Sequence, residues 1–197
     1  MIEIVVGCIV GAAVVGLHSL RAVRRRLRMA RHPAPTFLFA DLVGYTALTD
    51  RRGNDTAAKV AHEFWRTMSA LSREHGAWQV KSMGDAAMIW VPDATQAVAL
   101  AARAVEEVGK REDLLPVRVG ADTGPAVMRG GDWYGSVVNV AARLAGAAEP
   151  NQALISDATW AAAGNDLARP LRARRELALR GVERPVVALA LATDTTG

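Results

Sequence analysis

The sequence predicts an α+β sandwich, with helices over one face of a largely antiparallel sheet, preceded by one N-terminal transmembrane helix. Three observations point there. Short apolar runs of strand length and longer segments of helical period follow one another in the order β-α-β-β-α-β-β-α-β, the helices interspersed among the strands. Two of the strand-like runs, 77–82 and 86–91, meet across Met83-Gly84-Asp85, the spacing of a hairpin. Residues 4–17, IVVGCIVGAAVVGL, carry no charge.

That apolar run comes first. With Ile2, His18, Ser19 and Leu20 at its edges it reaches about 17–19 residues, the short end of a spanning helix, and it has no polar face with which to lie among headgroups. Arg21, Arg24, Arg25, Arg26, Arg28 and Arg31 follow it and no basic side chain precedes it. By the positive-inside rule, residues 1–20 are expected to be an uncleaved single-pass anchor in the cell (inner or plasma) membrane, with everything after it cytoplasmic. The basic segment, 21–35, would contact anionic lipid. Gly7 and Gly11 would let two anchors approach closely, and His32-Pro33-Ala34-Pro35 would serve as a linker. The main domain is expected over 36–192, with 193–197 as a frayed tail.

Within that domain, TFLFAD (36–41) reads as a buried strand whose final acid emerges at a sheet edge. Its loop, Asp41-Leu42-Val43-Gly44-Tyr45-Thr46, turns into a helix. From Asn54 to about His75, Ala57, Val60, Ala61, Phe64, Trp65, Met68 and Leu71 recur at helical spacing, and Gly76 stops the helix. After the hairpin, Asp93 is expected to cap a helix with Gln96 as its capping-box partner and Gly109 at its end. Strands at 117–124 and 126–128, a helix over 136–147, a strand at 153–156, a short helix over 157–163 and strands at 175–179 and 186–192 complete the prediction.

Bulk properties narrow the function. A chain of 197 residues, 51% apolar and 22% charged, has the composition of one globular domain with a small appendage. A single cysteine, Cys8, excludes an internal disulfide framework and a cysteine-rich zinc site. Without the six arginines of the basic segment the net charge falls from +4 to about −2, so no broad phosphate-tracking surface remains and no nucleic-acid partner is expected.

Each candidate chemical residue has an ordinary reading on its own. Asp41 is a strand-end acid, Asp85 a hairpin turn, Asp132 a turn residue and Lys81 a surface lysine. Taken together, two strand-end carboxylates converging on one edge would suit a pair of divalent cations acting at phosphorus. The glycine turn could also aim backbone N–H groups at phosphate. If residues 81–85 were extended, Lys81 and Asp85 would lie roughly 13 Å apart, too far for simple partners. Asn139 and Arg143, one helical turn apart, can reach one ligand.

In order and at suitable separation, FADLVGYT (39–46), KSMGD (81–85) and GDWYGSVVNVAARL (131–144) resemble the signature blocks of class III nucleotidyl cyclases, most like the bacterial adenylate cyclases. The likeness runs from about Thr36 to Leu191. It implies a ferredoxin-like sandwich in which Asp41 and Asp85 hold two divalent cations, Mg²⁺ or Mn²⁺. It further implies that Lys81 and Asp132 read adenine, that Asn139 orients the ribose and that Arg143 stabilises the pentavalent phosphorus. Gly44, Tyr45 and Thr46 would line the phosphates, and Arg180, with Arg184 as the alternative, would reach the triphosphate. Guanylyl members generally carry Glu and Cys at the two base-reading positions, so ATP is the implied substrate and 3′,5′-cyclic AMP and pyrophosphate the implied products. Metal carboxylates and the other residues would come from opposite chains of a homodimer. The alternative expectation is a catalytically silent nucleotide-binding signalling module on the same fold.

Overall fold

TFLFADL is apolar on both faces, so it can be stable only with structure above and below it. In the computed structural model, which describes residues 34–164 and 171–193 with the isolated positions 29 and 32, it forms β1 (Thr36–Leu42) at the centre of the main sheet. Short helix α1 (Tyr45–Arg52) and long helix α2 (Asn54–Glu74) follow. Then come the hairpin β2 (Trp78–Met83) and β3 (Ala86–Val91), helix α3 (Ala94–Gly109) and β4 (Val117–Thr123). A two-stranded arm, β5 (Val127–Arg129) and β6 (Asp132–Tyr134), leads into α4 (Ser136–Ala147). Strand β7 (Gln152–Ser156), helix α5 (Asp157–Ala163), β8 (Leu171–Leu177) and β9 (Val186–Leu191) end the described chain.

The main sheet has the order β2-β3-β1-β4-β7-β9-β8. Its pairs are antiparallel except β4 with β7, which the β5–β6 arm and α4 join as a crossover. One face carries the expected helical layer. Leu38 and Ala40 of β1, Ile89 of β3, Val119 of β4 and Ile155 of β7 pack there against Phe64, Met68 and Leu71 of α2 and Leu100, Ala104 and Val105 of α3. Each such large side chain, fully buried, contributes about 1.5–3 kcal/mol. Helix α4 departs from the one-faced expectation. Its Val140 and Leu144 pack with Leu154, Ala188 and Ala190, which alternate with the residues facing α3 and so lie on the other side of the sheet. The approach is close at Gly120, where a Cβ would stand 2.1 Å from the Ala145 nitrogen.

Local chemistry agrees with the predicted boundaries in most places. The Asp93 carboxylate accepts the Gln96 N–H at 2.9 Å and caps α3. The reciprocal half of the capping box is not made, because the Gln96 amide oxygen meets His75 Nδ1 at 3.0 Å instead. Asp132, expected in a turn, opens β6, and β8 starts four residues before the predicted 175. The 1–20 anchor, the arginine run and most of the 193–197 tail lie outside the described residues. Among those described, no helix is long and apolar enough to cross a membrane.

Candidate active site

Strand pairing brings the two predicted metal carboxylates together. Asp41 sits opposite Ala86 in the β1–β3 ladder, one residue after Asp85, and the Leu42 N–H donates to the Asp85 carbonyl at 3.0 Å. Burial holds the Asp85 carboxyl above its ordinary range, and repulsion from Asp41 raises it further. Two carboxylates that repel each other in this way suit a shared cation. Two hard oxygen donors suit Mg²⁺ or Mn²⁺, which retain water and take phosphate oxygens to complete their shells. Among the described residues no cluster of three or more His, Cys, Asp or Glu could hold a metal by itself, so such a site would depend on substrate and solvent ligands.

The cation beside these acids is Arg118, which the sequence reading did not single out. It stands opposite Asp41 in the β1–β4 ladder. Its Nε donates to Asp41 Oδ2 at 2.7 Å, its Nη2 contacts the same oxygen, and its Nη1 donates to the Gly146 carbonyl at 3.3 Å. A signal was present: Arg118 is the one charge in the apolar run VRVGA. Its partner was invisible, because the pairing spans 77 residues.

The base-reading candidates form a second cluster. Lys81 Nζ donates to both Asp132 oxygens, at 2.8 and 2.7 Å, tying the β2–β3 hairpin to the β5–β6 arm. Lys81 therefore pairs with Asp132 and not with Asp85. The Lys81 hydrogen bond, helped by the Trp133 N–H, holds the Asp132 carboxyl below its ordinary range. Beneath the pair, Trp133 is buried edge-on to Phe37, with ring centroids 5.3 Å apart, and stacks with Trp90. A β-bulge between Gln79 and Lys81 sets Lys81 opposite Met88. Gln79, before the bulge, instead accepts from Ser69 of α2 on the helical side.

Helix α4 presents Asn139 and Arg143 one turn apart, both exposed and with no side-chain hydrogen bond or ion pair among the described residues. Asn139 lines a cavity of about 540 Å³ with Asp122, Ser156, Asp157, Glu183 and Arg184. Of the two triphosphate candidates, Arg184 lines this cavity, while Arg180 adjoins its Gly181 wall without lining it. Gly44, at φ 84°, takes the left-handed conformation that suits glycine and leads into α1, whose Tyr45 and Thr46 open a helix with no side-chain cap. Those first N–H groups are oriented for an anion.

Known proteins resemble this chain in sequence and in fold. The chain is 36% identical over 152 residues to a pH-sensitive adenylate cyclase of Mycobacterium tuberculosis, which covers 73% of this chain and 37% of the relative. It is 35% identical over 127 residues to an adenylate cyclase of Streptomyces griseus, covering 64% of this chain and 32% of the relative. It thus spans only about a third of the length of these relatives. In fold it is similar to adenylate cyclases of Trypanosoma brucei in their monomeric state, with a TM-score of 0.78 at 23% identity over 83% of this chain and 90% of that one. The adenylyl cyclase CyaB of P. aeruginosa gives 0.71 at 21% identity, covering 82% and 95%. The pattern of the adenylate and guanylate cyclase catalytic domain matches residues 27–189, nearly the whole described fold, and the chain belongs to that family.

Proposed function

We propose that the chain is an adenylate cyclase, forming 3′,5′-cyclic AMP and pyrophosphate from ATP at a site shared by two copies. The observation that carries this reading is the convergence of Lys81 and Asp132 from separate hairpins on one point. An ammonium donor beside a carboxylate acceptor matches the adenine edge, where a ring nitrogen accepts and the exocyclic amine donates.

Each remaining group has a role suited to its chemistry. Two divalent cations, when bound at Asp41 and Asp85, would acidify the ribose 3′ hydroxyl and neutralise the phosphates. Asn139 would hold the ribose by its amide, and Arg143 would place a fixed guanidinium against the charge that develops on the equatorial oxygens. The first N–H groups of α1 at Gly44, Tyr45 and Thr46, with Arg180 or Arg184, would receive the triphosphate. No hydrogen bond or ion pair among the described residues joins Asn139 or Arg143 to Asp41 or Asp85. This supports a site completed by a second copy, as a two-fold dimer can do twice. Residues 1–20 would tether the chain to the cell membrane with the catalytic unit in the cytoplasm, so the full chain should stay with membranes on alkaline extraction.

The deciding measurement is product formation by the full chain from ATP, and separately from GTP, with Mn²⁺ and then Mg²⁺ at several protein concentrations. Cyclic AMP with specific activity rising with concentration is the expected result. No cyclic product from either nucleotide would favour the silent nucleotide-binding module.

A further inference from the structure

Arg118 is the only cation paired with either candidate metal carboxylate among the described residues, and the pair is built in a way that invites displacement. Its Nε and Nη2 both fall on Asp41 Oδ2, while Oδ1 accepts no hydrogen bond among the described residues. The pair is reachable from solvent, with the Arg118 side chain 33% and the Asp41 side chain 22% exposed. Arg118 also favours the ionised form of Asp85, so its charge reaches both acids. Its Nη1 already has a separate acceptor, the Gly146 carbonyl of α4, so the side chain keeps one anchor if it leaves Asp41.

We propose that Arg118 is a placeholder cation: in the nucleotide-free chain its guanidinium occupies Asp41, and a divalent cation must displace it to bind. This inference rests on the metal role proposed above for Asp41. A cation would first engage the free Oδ1, and the guanidinium would then give up Oδ2, so the site exchanges one positive charge for another without exposing two unneutralised carboxylates. A partly exposed ion pair is weak enough to be displaced and strong enough to weaken cation binding. By linkage, whatever draws Arg118 off Asp41 tightens the metal, and the metal frees Arg118 by the same factor.

The test is Mn²⁺ binding to the nucleotide-free full chain, read from the loss of the free-ion electron paramagnetic resonance signal. Arg118→Gln should bind Mn²⁺ roughly five- to tenfold more tightly than the wild type, and Arg118→Lys should fall between them. Adding Asp41→Ala to either chain should remove the gain. Equal or weaker Mn²⁺ binding by Arg118→Gln, with the binding still dependent on Asp41, overturns the placeholder role and leaves the metal role standing. Mn²⁺ binding that Asp41→Ala does not change in any chain overturns both. As a check that does not depend on how the variants fold, the Arg118 Nε–H resonance of the wild type, followed during titration with Mg²⁺, should leave its ion-paired position. A resonance that stays fixed while Mg²⁺ occupies an Asp41-dependent site also overturns the proposal.

Discussion

Replacing Asp122 by Asn should stabilise the protein at neutral and alkaline pH and leave it unchanged in acid. Asp122 is only 8% exposed, on the wall of the cavity that Asn139 lines. Burial pushes its carboxyl up to about 6 from an ordinary 3.8, against the opposing hydrogen bonds from the Ser156 hydroxyl and the Thr123 N–H. The fold therefore prefers the neutral acid. The associated stability is fully present below 3.8 and is lost as pH rises through about 6; above that the ionised group leaves a constant deficit of about 3 kcal/mol. Asparagine has no charge to bury and keeps an oxygen for Ser156, whose hydroxyl also reaches Thr159. Because an amide accepts less strongly than a carboxylate, the expected gain is about 2–3 kcal/mol at alkaline pH. Urea unfolding of both proteins across the pH range, compared as a difference, cancels the groups they share. A difference that is the same in acid and in alkali, or an Asn variant less stable at alkaline pH, would refute the reasoning. Ser156→Ala should move the titration higher still, since it removes a hydrogen bond to the ionised form.

Three further outcomes are expected. Asp41→Ala and Arg143→Ala proteins, each inactive alone, should regain part of their activity when mixed; a demonstrated heterodimer that stays inactive would count against the shared site. Lys81→Glu combined with Asp132→Cys should shift the preference from ATP toward GTP, measured as the ratio of the two kcat/KM values, and an unchanged ratio would remove the base-reading role from this pair. Gly120→Ala drives a methyl group into the backbone of α4, 2.1 Å from the Ala145 nitrogen and 2.3 Å from the Ala141 oxygen. It should cost about 3 kcal/mol or more in urea unfolding; a loss below about 1 kcal/mol would show that α4 can move away.

What the sequence made legible was local. The α2 and α3 boundaries follow from helical spacing, Gly76 and the Asp93 cap, and the hairpin follows from Met83-Gly84-Asp85. The side of the sheet chosen by α4 was not legible, because its apolar stripe of Val140 and Leu144 fits either face. Strand β6 was hidden because Asp132 read as part of the turn that Gly130 and Gly131 make, when it opens the strand that follows them. For the site, residue identities and spacing marked Asp41, Asp85, Lys81 and Asp132, while the Arg118–Asp41 and Lys81–Asp132 pairings depend on contacts 77 and 51 residues apart in the chain. Long-range register decides such contacts, and no local pattern encodes it.

The bulge between Gln79 and Lys81 acts as a parity switch. In an unbroken strand these two residues, two apart, would point the same way, and Lys81 would follow Gln79 toward α2. The extra residue inverts the count. Lys81 takes the place opposite Met88, in line with Trp78 opposite Trp90, and so emerges on the face where Trp133 stacks. Deleting Val80 would remove the bulge and leave Lys81 opposite Met88, whereas pairing Val80 into an unbroken ladder would keep every residue of KSMGD and turn the lysine to the wrong side of the sheet. Specificity for the base is thus written partly in the bulge, because a β2 of the same length paired without it would lose base recognition while every motif residue stays in place.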